Sequence, residues 1–264
     1  MDATTPRPTA LVTGASSGIG LAFARALADR DHDLVLVARD TARLEALATE
    51  LRTAYGAGAE VLTADLTESA ELAAVEDRLA DRGRPVELLV NNAGFGTAGR
   101  FDELPLKDED REIRLNVLAL VRLCHAALPA MVERGHGAVV NVSSLGGHQP
   151  TPGNATYGAT KAFVTSFSQA LHEEVKRDGV RVTVLCPGFT RTEFQERAGI
   201  DSSQVPGFLW MSADAVAEAA LRAVDRDRAV CVPGAANRVT GALTSSLPDA
   251  VTRRLAGAVI KRVE

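Results

Sequence analysis

The sequence predicts an α/β protein in which one parallel β-sheet is covered by helices on both faces. Short apolar segments alternate with amphipathic helical segments along most of its 264 residues. The apolar segments are hydrophobic at consecutive positions, as in strands that are buried on both faces. A glycine-rich segment, 13–20, joins the first apolar segment to the first helical one, as is common in doubly wound sheets. We therefore expect a single domain over residues 1–264.

The composition is typical of a globular protein and excludes several classes. Hydrophobic residues make up 46% of the chain, charged residues 24%, and the net charge is −5. The chain has no run of five basic residues, so we expect no nucleic-acid partner. No apolar stretch reaches the ~18 residues of a membrane span, so none is expected. With no signal-peptide pattern and three widely spaced cysteines, we expect a cytoplasmic protein with reduced thiols and no metal site.

In the N-terminal half the elements alternate with short connections. Strands are expected where leucine, valine and alanine form runs of strand length, at Thr9–Thr13, Asp33–Ala38, 60–63 and 86–91. Helices are expected where apolar residues recur every three or four positions, at 18–30, Thr41–Tyr55 and 68–82. Because a helix connects each strand to the next, successive strands are expected to be parallel.

The C-terminal half continues the alternation with two longer helices. Helix 107–134 is predicted from an apolar stripe made of Ile113, Val117, Leu120, Cys124, Leu128 and Met131. The remaining strands are predicted at 137–143, 180–186 and 229–232, and the remaining helices at 154–178 and Ala213–Asp225.

Two segments do not fit this alternation. Residues 189–211 lack a helix or strand period and are rich in aromatic residues. We interpret them as a substrate loop that follows a cofactor-binding core at 9–188. Residues 237–264 form a C-terminal extension, in which 249–263 has the pattern of an amphipathic helix. Such a helix would cover the protein's own core, a partner subunit or a lipid surface.

The glycines of segment 13–20 are spaced for close approach to a phosphate group. Gly14, Gly18 and Gly20 follow a G-x-x-x-G-x-G pattern. Between a strand and a helix, such a turn brings backbone N–H groups and the positive end of the helix to a pyrophosphate. The alternative is a tight turn without a ligand.

The end of the second strand indicates which dinucleotide fits. Enzymes that use NAD usually place a carboxylate there to bind the ribose 2′-hydroxyl, whereas this strand ends at Ala38 and is followed by Arg39. Arginine favours NADP(H) over NAD(H), because its guanidinium can pair with the 2′-phosphate; Arg43 would lie one turn further on. Alternatively, Arg39 is a solvated residue at the start of a helix. Asp40 is either the N-cap of that helix or the partner of Arg39.

A serine, a tyrosine and a lysine have the spacing of an acid–base site. Tyr157 and Lys161 lie four residues apart and share one helix face. The ammonium group is expected to lower the pKa of the phenol from ~10 toward neutrality, so that the phenol can protonate a carbonyl oxygen. Ser144, thirteen residues before Tyr157, is expected to donate a hydrogen bond to that oxygen, with Ser143 as the competing candidate. Asn116, a poor helix former within a helix, marks either a break or a surface residue.

Taken in order, these motifs resemble those of the short-chain dehydrogenase/reductase superfamily. The similarity extends from residue 9 to about residue 232 and comprises the 13–20 loop, Asp65-Leu66, Asn91-Asn92-Ala93-Gly94, Asn116, Ser143-Ser144, Tyr157 with Lys161, and Pro187-Gly188-Phe189-Thr190-Arg191-Thr192. It implies a single Rossmann-like doubly wound domain, with a seven-stranded parallel sheet flanked by helices on both faces. A dinucleotide would lie across the carboxyl ends of the strands.

The resemblance also implies roles for individual residues. The catalytic group would be Asn116, Ser144, Tyr157 and Lys161. The cofactor-binding group would be Gly14, Ser16, Ser17, Gly18, Ile19, Gly20, Arg39, Asp65, Leu66, Asn92, Ala93, Gly94, Tyr157, Lys161, Pro187, Gly188, Thr190 and Thr192. Within these groups, Asp65 would bind the adenine amino group, and Asn116 would hold a water molecule between Lys161 and solvent.

The expected function is that of an NADPH-dependent oxidoreductase that reduces a hydrophobic ketone or aldehyde, a 3-ketoacyl thioester being one case. The alternatives are an NAD-dependent alcohol dehydrogenase of the same family and a non-catalytic dinucleotide-binding regulator. The long helices 107–134 and 154–178 have broad apolar faces, and in this family such helices pair across a two-fold axis. The expected partners are therefore a small carbonyl or alcohol substrate and further copies of the chain, in a homodimer or homotetramer.

Overall fold

Strands and helices alternate in a computed structural model of the chain, which describes residues 6–198 and 205–238. The strands are β1 (Thr9–Thr13), β2 (Asp33–Ala38), β3 (Ala59–Thr63), β4 (Leu88–Asn91), β5 (Gly137–Val142), β6 (Val180–Leu185), β7 (Thr190–Arg191), β8 (Met211–Ser212) and β9 (Val230–Cys231). The helices are α1 (Gly18–Asp29), α2 (Thr41–Tyr55), α3 (Ser69–Ala80), α4 (Leu106–Ile113), α5 (Leu120–Arg134), α6 (Ala155–Val175), α7 (Phe194–Arg197) and α8 (Ala213–Asp225).

Seven of these strands form one parallel sheet in the order β3-β2-β1-β4-β5-β6-β9. The chain moves outward from β1 to β3, returns to the middle at β4, and then moves outward in the other direction. Val12 of β1 is paired with Leu36 of β2 on one side and with Val90 of β4 on the other. The strand order therefore reverses between β1 and β4, which is where open α/β sheets bind ligands. The predicted fold class is confirmed.

Each face of the sheet carries its own apolar core. On one face, Val12 and Leu36 pack with residues of α1, α2 and α8, including the fully buried Phe23. On the other face, Leu11 and Val35 pack with residues of α3, α5 and α6. Neighbouring strand residues thus belong to opposite cores, which explains why the strands are apolar at consecutive positions. Burying one such side chain contributes about 1.5–3 kcal/mol.

The long helix predicted at 107–134 is not a regular α-helix throughout. A π-helical turn, Arg114–Ala119, connects α4 to α5. Such a turn adds one residue and shifts the buried face of the helix by one position. As a result Ile113 is 46% exposed, whereas Glu112 is fully buried. The predicted stripe is therefore wrong at Ile113, while Leu120, Cys124 and Met131 are buried as expected.

The segment 189–211 contains more regular structure than its pattern indicates. Strands β7 and β8 pair in parallel at its two ends, with Thr190 opposite Met211. Each strand has only two residues, which is too short for a period to be visible in the sequence. Residues 199–204 of this segment, and the C-terminal segment 239–264 with its expected helix at 249–263, lie outside the described residues.

One helical stretch in the described part of the chain, Leu106–Arg134, is long and apolar enough to cross a membrane by length and composition. It is not an unbroken apolar run, because Arg122 and His125 lie within it. Half of its most apolar part is buried inside the fold, where Leu123 and Met131 belong to the second core.

Candidate active site

The predicted site residues gather at the carboxyl edge of the sheet. The strands are followed in turn by the glycine loop after β1, Arg39 after β2, Asp65 after β3, 92–94 after β4, Ser144 after β5 and Pro187-Gly188 after β6. Asn116 lies in the π-helical turn, and Tyr157 and Lys161 lie on α6. The edge of a parallel sheet therefore assembles side chains that are far apart in the sequence.

The glycine loop is shaped so that only glycine fits at three positions. Gly14 and Gly18 have φ of +66° and +56°, a region that other residues rarely adopt. A Cβ atom on Gly20 would lie 2.2 Å from the carbonyl oxygen of Gly14. The N-cap residue of α1, Ser17, makes no side-chain capping bond, and the first turn has no acidic residue. The free N–H groups and the close backbone packing fit the pyrophosphate of a dinucleotide.

Asn92 and Ala93 join the glycine loop to β4. The Thr13 hydroxyl accepts hydrogen bonds from the backbone N–H groups of Asn92 and Ala93, both at 3.0 Å. The amide of Asn92 donates to the Thr13 carbonyl oxygen at 2.9 Å. A Cβ atom on Gly94 would lie 2.9 Å from Asn116 Oδ1. These contacts fix the loop at the reversal of strand order.

Arg39 and Asp65 form an ion pair next to this loop. Arg39 is 67% exposed in its side chain, and its Nη1 lies 3.7 Å from Asp65 Oδ2. Arg111 Nη2 lies 3.7 Å from the same oxygen. Burial raises the pKa of Asp65, but hydrogen bonds from Thr67 and the two arginine charges outweigh it and hold the pKa below its ordinary value.

Asp40 takes the first of its two predicted roles. Its carboxylate accepts a hydrogen bond from the backbone N–H of Arg43 at 3.0 Å and so caps α2. The Arg43 guanidinium lies 3.1 Å from Glu193 Oε2. Arg39 is therefore paired with Asp65 rather than with Asp40, and Arg43 connects α2 to the segment 189–211.

Asn116 is buried at the break in the long helix. Its Oδ1 accepts from the Phe95 backbone N–H at 3.2 Å, and its Nδ2 donates to the Phe95 carbonyl oxygen at 2.9 Å. The same Nδ2 donates to the Thr160 hydroxyl at 3.1 Å. Of the two interpretations of this residue, the break is the one found. Asn116 fastens the chain after β4 to α6.

The pKa of Tyr157 moves in the direction opposite to the prediction. Burial raises it to about 12, a hydrogen bond with Ser144 lowers it in part, and the charge of Glu112 raises it further. The Lys161 ammonium lies 5.7 Å from the centre of the Tyr157 ring and donates to the Val142 carbonyl oxygen at 2.9 Å. Burial lowers the pKa of Lys161 to about 8. The expectation that Lys161 brings the phenol toward neutrality is wrong for the protein alone, because removal from water dominates.

Ser144 and Ser143 face different partners. The Ser143 hydroxyl lies 2.7 Å from both the Lys161 carbonyl oxygen and the Thr165 hydroxyl. Ser144 Oγ accepts from the Gly146 backbone N–H at 3.0 Å and hydrogen-bonds with Tyr157. The serine chosen by its spacing to Tyr157 is thus the one beside the phenol.

The segment after β6 places one aromatic ring, that of Phe194, against Tyr157 and holds a second ring pair of its own. The centre of the Phe194 ring lies 5.6 Å from that of Tyr157, and the rings of Phe189 and Trp210 are also 5.6 Å apart. Thr192 lies against Gly18, since a Cβ atom there would be 3.1 Å from Thr192 Cγ2. Buried Thr190 donates to the Gly188 carbonyl oxygen at 3.1 Å. The segment therefore provides an aromatic contact beside the Tyr157 phenol.

Two acidic residues of the site are absent from the sequence-based candidates. Glu112 is fully buried and Glu109 is 3% exposed. Burial raises the pKa of Glu112 to about 7. Their spacing to each other and to Asn116 places all three on one helix face. This spacing could have indicated in the sequence that the three residues belong together. Charged residues on the exposed face of an ordinary amphipathic helix have the same spacing, however.

Comparison with known proteins gives consistent matches. A family profile described as short chain dehydrogenase matches residues 8–202. Sulfoacetaldehyde reductase 2 from Chromohalobacter salexigens is 41% identical over 186 residues, which are 70% of this chain and 73% of that protein. A short-chain dehydrogenase from Sphingobium yanoikuyae, solved in complex with NADPH, is 44% identical with a TM-score of 0.82, covering 92% of this chain and 97% of that one. The bulky-bulky ketone specific alcohol dehydrogenase from Comamonas testosteroni is 37% identical with a TM-score of 0.78, covering 93% and 97%.

Proposed function

The chain belongs to the short-chain dehydrogenase family and is an oxidoreductase, and on that premise we propose that it reduces hydrophobic ketones or aldehydes with NADPH. The observation that carries the substrate class is the Phe194 ring, whose centre lies 5.6 Å from that of Tyr157, in a segment that also holds the paired rings of Phe189 and Trp210. Apolar rings bind apolar substrates by excluding water. The similarity to a bulky-ketone enzyme agrees with this class.

Different residues of the site would bind the cofactor and transfer the proton. The glycine loop would hold the pyrophosphate, Arg39 the 2′-phosphate, and Lys161 the ribose hydroxyl groups. A bound NADPH supplies the hydride that reduces the carbonyl carbon. Tyr157 donates its proton to the carbonyl oxygen, which Ser144 orients by a hydrogen bond. A phenol with a pKa of about 12 carries this proton at neutral pH, and Lys161 stabilises the phenolate as it forms.

A second cofactor preference has one observation in its favour. Asp65 lies 3.7 Å from Arg39 and also faces Arg111, so Arg39 is partly neutralised before any phosphate arrives. This pairing favours NAD over NADP, and with it the alternative that the protein is an NAD-dependent alcohol dehydrogenase of the same family. The non-catalytic regulator is disfavoured, because Ser144, Tyr157 and Lys161 are all present and lie together.

A substrate panel tests the proposed reaction. Purified protein is assayed with NADPH against an aryl ketone, a steroid ketone, a 3-ketoacyl thioester and a small anionic aldehyde. We expect kcat/KM to be highest for the bulky apolar ketones. Preference for the small anionic aldehyde, the type of substrate in the name of the Chromohalobacter relative, would contradict the proposal.

Substitution of Arg39 tests the cofactor. Arg39→Ala removes a cation, and Arg39→Asp adds repulsion toward a 2′-phosphate. A charge-assisted pair contributes about 1.5–3 kcal/mol, so the NADPH-to-NADH ratio of kcat/KM should fall roughly 10- to 100-fold in Arg39→Ala and further in Arg39→Asp. The matched control is Arg43→Ala, whose guanidinium is already held by Glu193 and should matter less. A wild-type protein that prefers NADH would overturn the assignment.

The proposed compartment is the cytoplasm. Cys124, Cys186 and Cys231 are free and buried, as expected for reduced thiols. Burial raises the pKa of each of these thiols, which keeps them protonated and unreactive. Free cysteines are typical of reducing compartments, where disulfides are rare.

A further inference from the structure

Two glutamates of α4 are buried behind the reacting side chains. Glu112 has no exposed surface and Glu109 is 3% exposed, although glutamate is almost never fully buried without a partner of opposite charge. Among the described residues neither carboxyl group has a basic side chain within ion-pair distance, although the charge of Lys161 acts on Glu112. The arginines nearest in sequence do not neutralise them: Arg111 pairs with Asp65, and Arg114 is exposed.

Both carboxyl groups contact the same threonine. Thr97 Oγ1 lies 2.7 Å from Glu109 Oε1 and 3.0 Å from Glu112 Oε2. The Thr97 backbone N–H donates to Glu112 Oε2 at 2.9 Å. Glu109 Oε2 accepts a hydrogen bond from the Thr156 hydroxyl, and Glu112 Oε1 is buried without a partner. The pair is therefore a closed polar cluster next to Tyr157.

The Thr97 hydroxyl has too few hydrogens to donate to two ionised carboxylates. A hydroxyl group carries one hydrogen and can donate it to only one acceptor at a time. If both glutamates were ionised, one of the two contacts at Thr97 would join two oxygens with no hydrogen between them. One proton on the pair completes the chain, because the protonated carboxyl then donates to Thr97 Oγ1 while Thr97 donates to the other carboxyl. It also avoids two neighbouring buried negative charges.

We propose that Glu109 and Glu112 hold one proton between them up to about neutral pH, and that this proton controls the charge that Tyr157 and Lys161 experience. The groups that face the pair are Tyr157, Lys161 and Thr156 from α6, and Thr97 from the loop after β4. Glu109 and Glu112 are positioning residues, since neither would touch a substrate. The effect on catalysis rests on the proposed function, whereas proton retention does not.

The burial and the neighbouring charges of Glu112 agree with this arrangement. Burial raises the pKa of Glu112 to about 7; the hydrogen bonds from Thr97 lower it, Glu109 raises it, and Lys161 lowers it. In turn, ionised Glu112 raises the pKa of Tyr157 and of Lys161. When the pair keeps its proton, the phenol is more acidic. When the pair loses it, the phenolate becomes harder to form.

Infrared titration of the protein without cofactor tests proton retention. Wild-type protein at about pH 6 should show the signal of a protonated carboxyl group, and the signal should disappear as the pH is raised through about 7. Glu112→Gln should lack it. Asp110→Asn removes an exposed charge from the same helix and should retain it. Absence of the signal in the wild type would overturn the proposal, whether or not either variant folds; Glu109→Gln provides a second test of the pair.

The pH profile of alcohol oxidation tests the coupling. In this direction Tyr157 acts as base, so kcat/KM rises as the phenol loses its proton. Glu112→Gln cannot become negative, and its profile should therefore shift to lower pH by ~0.5–1 unit, while Asp110→Asn should not shift. A uniform loss of kcat at every pH would show a structural role only and contradict the coupling. A carboxyl signal in a protein that turns over no substrate would leave proton retention standing and refute the proposed function instead.

Discussion

Tyr157 keeps its proton because its phenol is removed from water, and the hydrogen bond with Ser144 only partly offsets that burial. The same burial acts on Lys161 in the opposite sense, since it disfavours the charged ammonium and lowers its pKa to about 8. At the residue scale, burial thus keeps the Tyr157 phenol protonated and makes Lys161 a weaker base. At neutral pH both Tyr157 and Lys161 still carry the proton that each could donate.

The lowered pKa of Lys161 predicts how stability depends on pH. Between pH 8 and the ordinary lysine value of 10.5, the unfolded state binds the proton more tightly than the folded state, so folding stability rises with pH in this window. Lys161→Met has no titratable group at this position and should lack this rise in stability. Relative to the variant, the wild type should gain at most about 3 kcal/mol of unfolding free energy across the window.

Denaturant unfolding at several pH values measures this difference. Lys176→Met, at the exposed end of the same helical region, is the matched control and should run parallel to the wild type. Parallel curves for Lys161→Met and wild type would show that Lys161 has an ordinary pKa. In the same variant, both turnover and cofactor affinity should fall, because Lys161 is proposed to serve both.

Single residues were predictable where spacing determines the neighbour, and not where burial determines the chemistry. The interval between Ser144 and Tyr157 is enough to choose Ser144 over Ser143, whose hydroxyl is bonded to the Lys161 carbonyl oxygen. The direction of the Tyr157 pKa shift depends on the whole fold around the phenol. Glu112 illustrates the same limit, since a glutamate on a helix is ordinarily exposed.

At the element scale, the segment between β6 and α8 is fixed at its ends and covers the site between them. Strands β7 and β8 hold the ends together, while Phe194 lies against Tyr157. Trp210 is partly buried, and its indole N–H donates to the Val205 carbonyl oxygen at 3.3 Å. Phe208, in the same segment, is 76% exposed.

Fluorescence of Trp210 tests whether this segment closes over a ligand. Trp210 is the only tryptophan, so its emission reports on this segment alone. If the segment closes as a lid, NADPH with a ketone substrate should change the emission after correction for absorption, and proteolysis within 190–211 should slow. Trp210→Phe supplies the blank. An unchanged spectrum would favour a tryptophan fixed in the core.

The helix 107–134 shows which part of an element a sequence can predict. Its ends are predicted closely: the structure has helix from Leu106 to Arg134. The π-helical turn Arg114–Ala119 is not predicted, because one added residue hardly changes the spacing of apolar residues averaged over several helical turns. That single residue places Asn116 and Glu112 inside and Ile113 outside. The irregularity thus decides which side chains reach the site.

At the scale of the whole molecule, apolar side chains remain exposed on the helices that follow β4 and β5. Ile113 is 46% exposed, Leu118 44% and Phe163 42%, and Phe163 stacks on Phe167 with ring centres 5.8 Å apart. A contiguous exposed apolar patch usually marks an interface. We propose that these helices pair between copies of the chain around a two-fold axis.

Light scattering tests this assembly. The wild type should have a mass of a dimer or tetramer at micromolar concentration, and Phe163→Glu should shift it toward the monomer because it places a charge within the interface. Phe208→Glu changes an exposed phenylalanine of the segment 189–211, which belongs to none of these helices, and should leave the mass unchanged. A wild-type mass of 27.8 kDa would contradict the proposed assembly.

The overall fold was predictable because doubly apolar strands in regular alternation with helices permit few other arrangements. The order of strands and the meeting of distant motifs at one edge follow from that topology. The choice of substrate does not follow from the topology, because we expect it to depend on the segment 189–211. The sequence of this segment has no helix or strand period, and its described part folds against the site.

The most direct test of the account is the rate of NADPH oxidation by Tyr157→Phe with the best ketone of the panel. Loss of the proton donor should lower kcat by ~10²–10⁴-fold, while NADPH binding and thermal unfolding stay close to wild type. Tyr55→Phe, at the only other tyrosine, should retain full activity. If Tyr157→Phe kept more than about a tenth of the wild-type rate, Tyr157 would not be the proton donor and the central claim would fail.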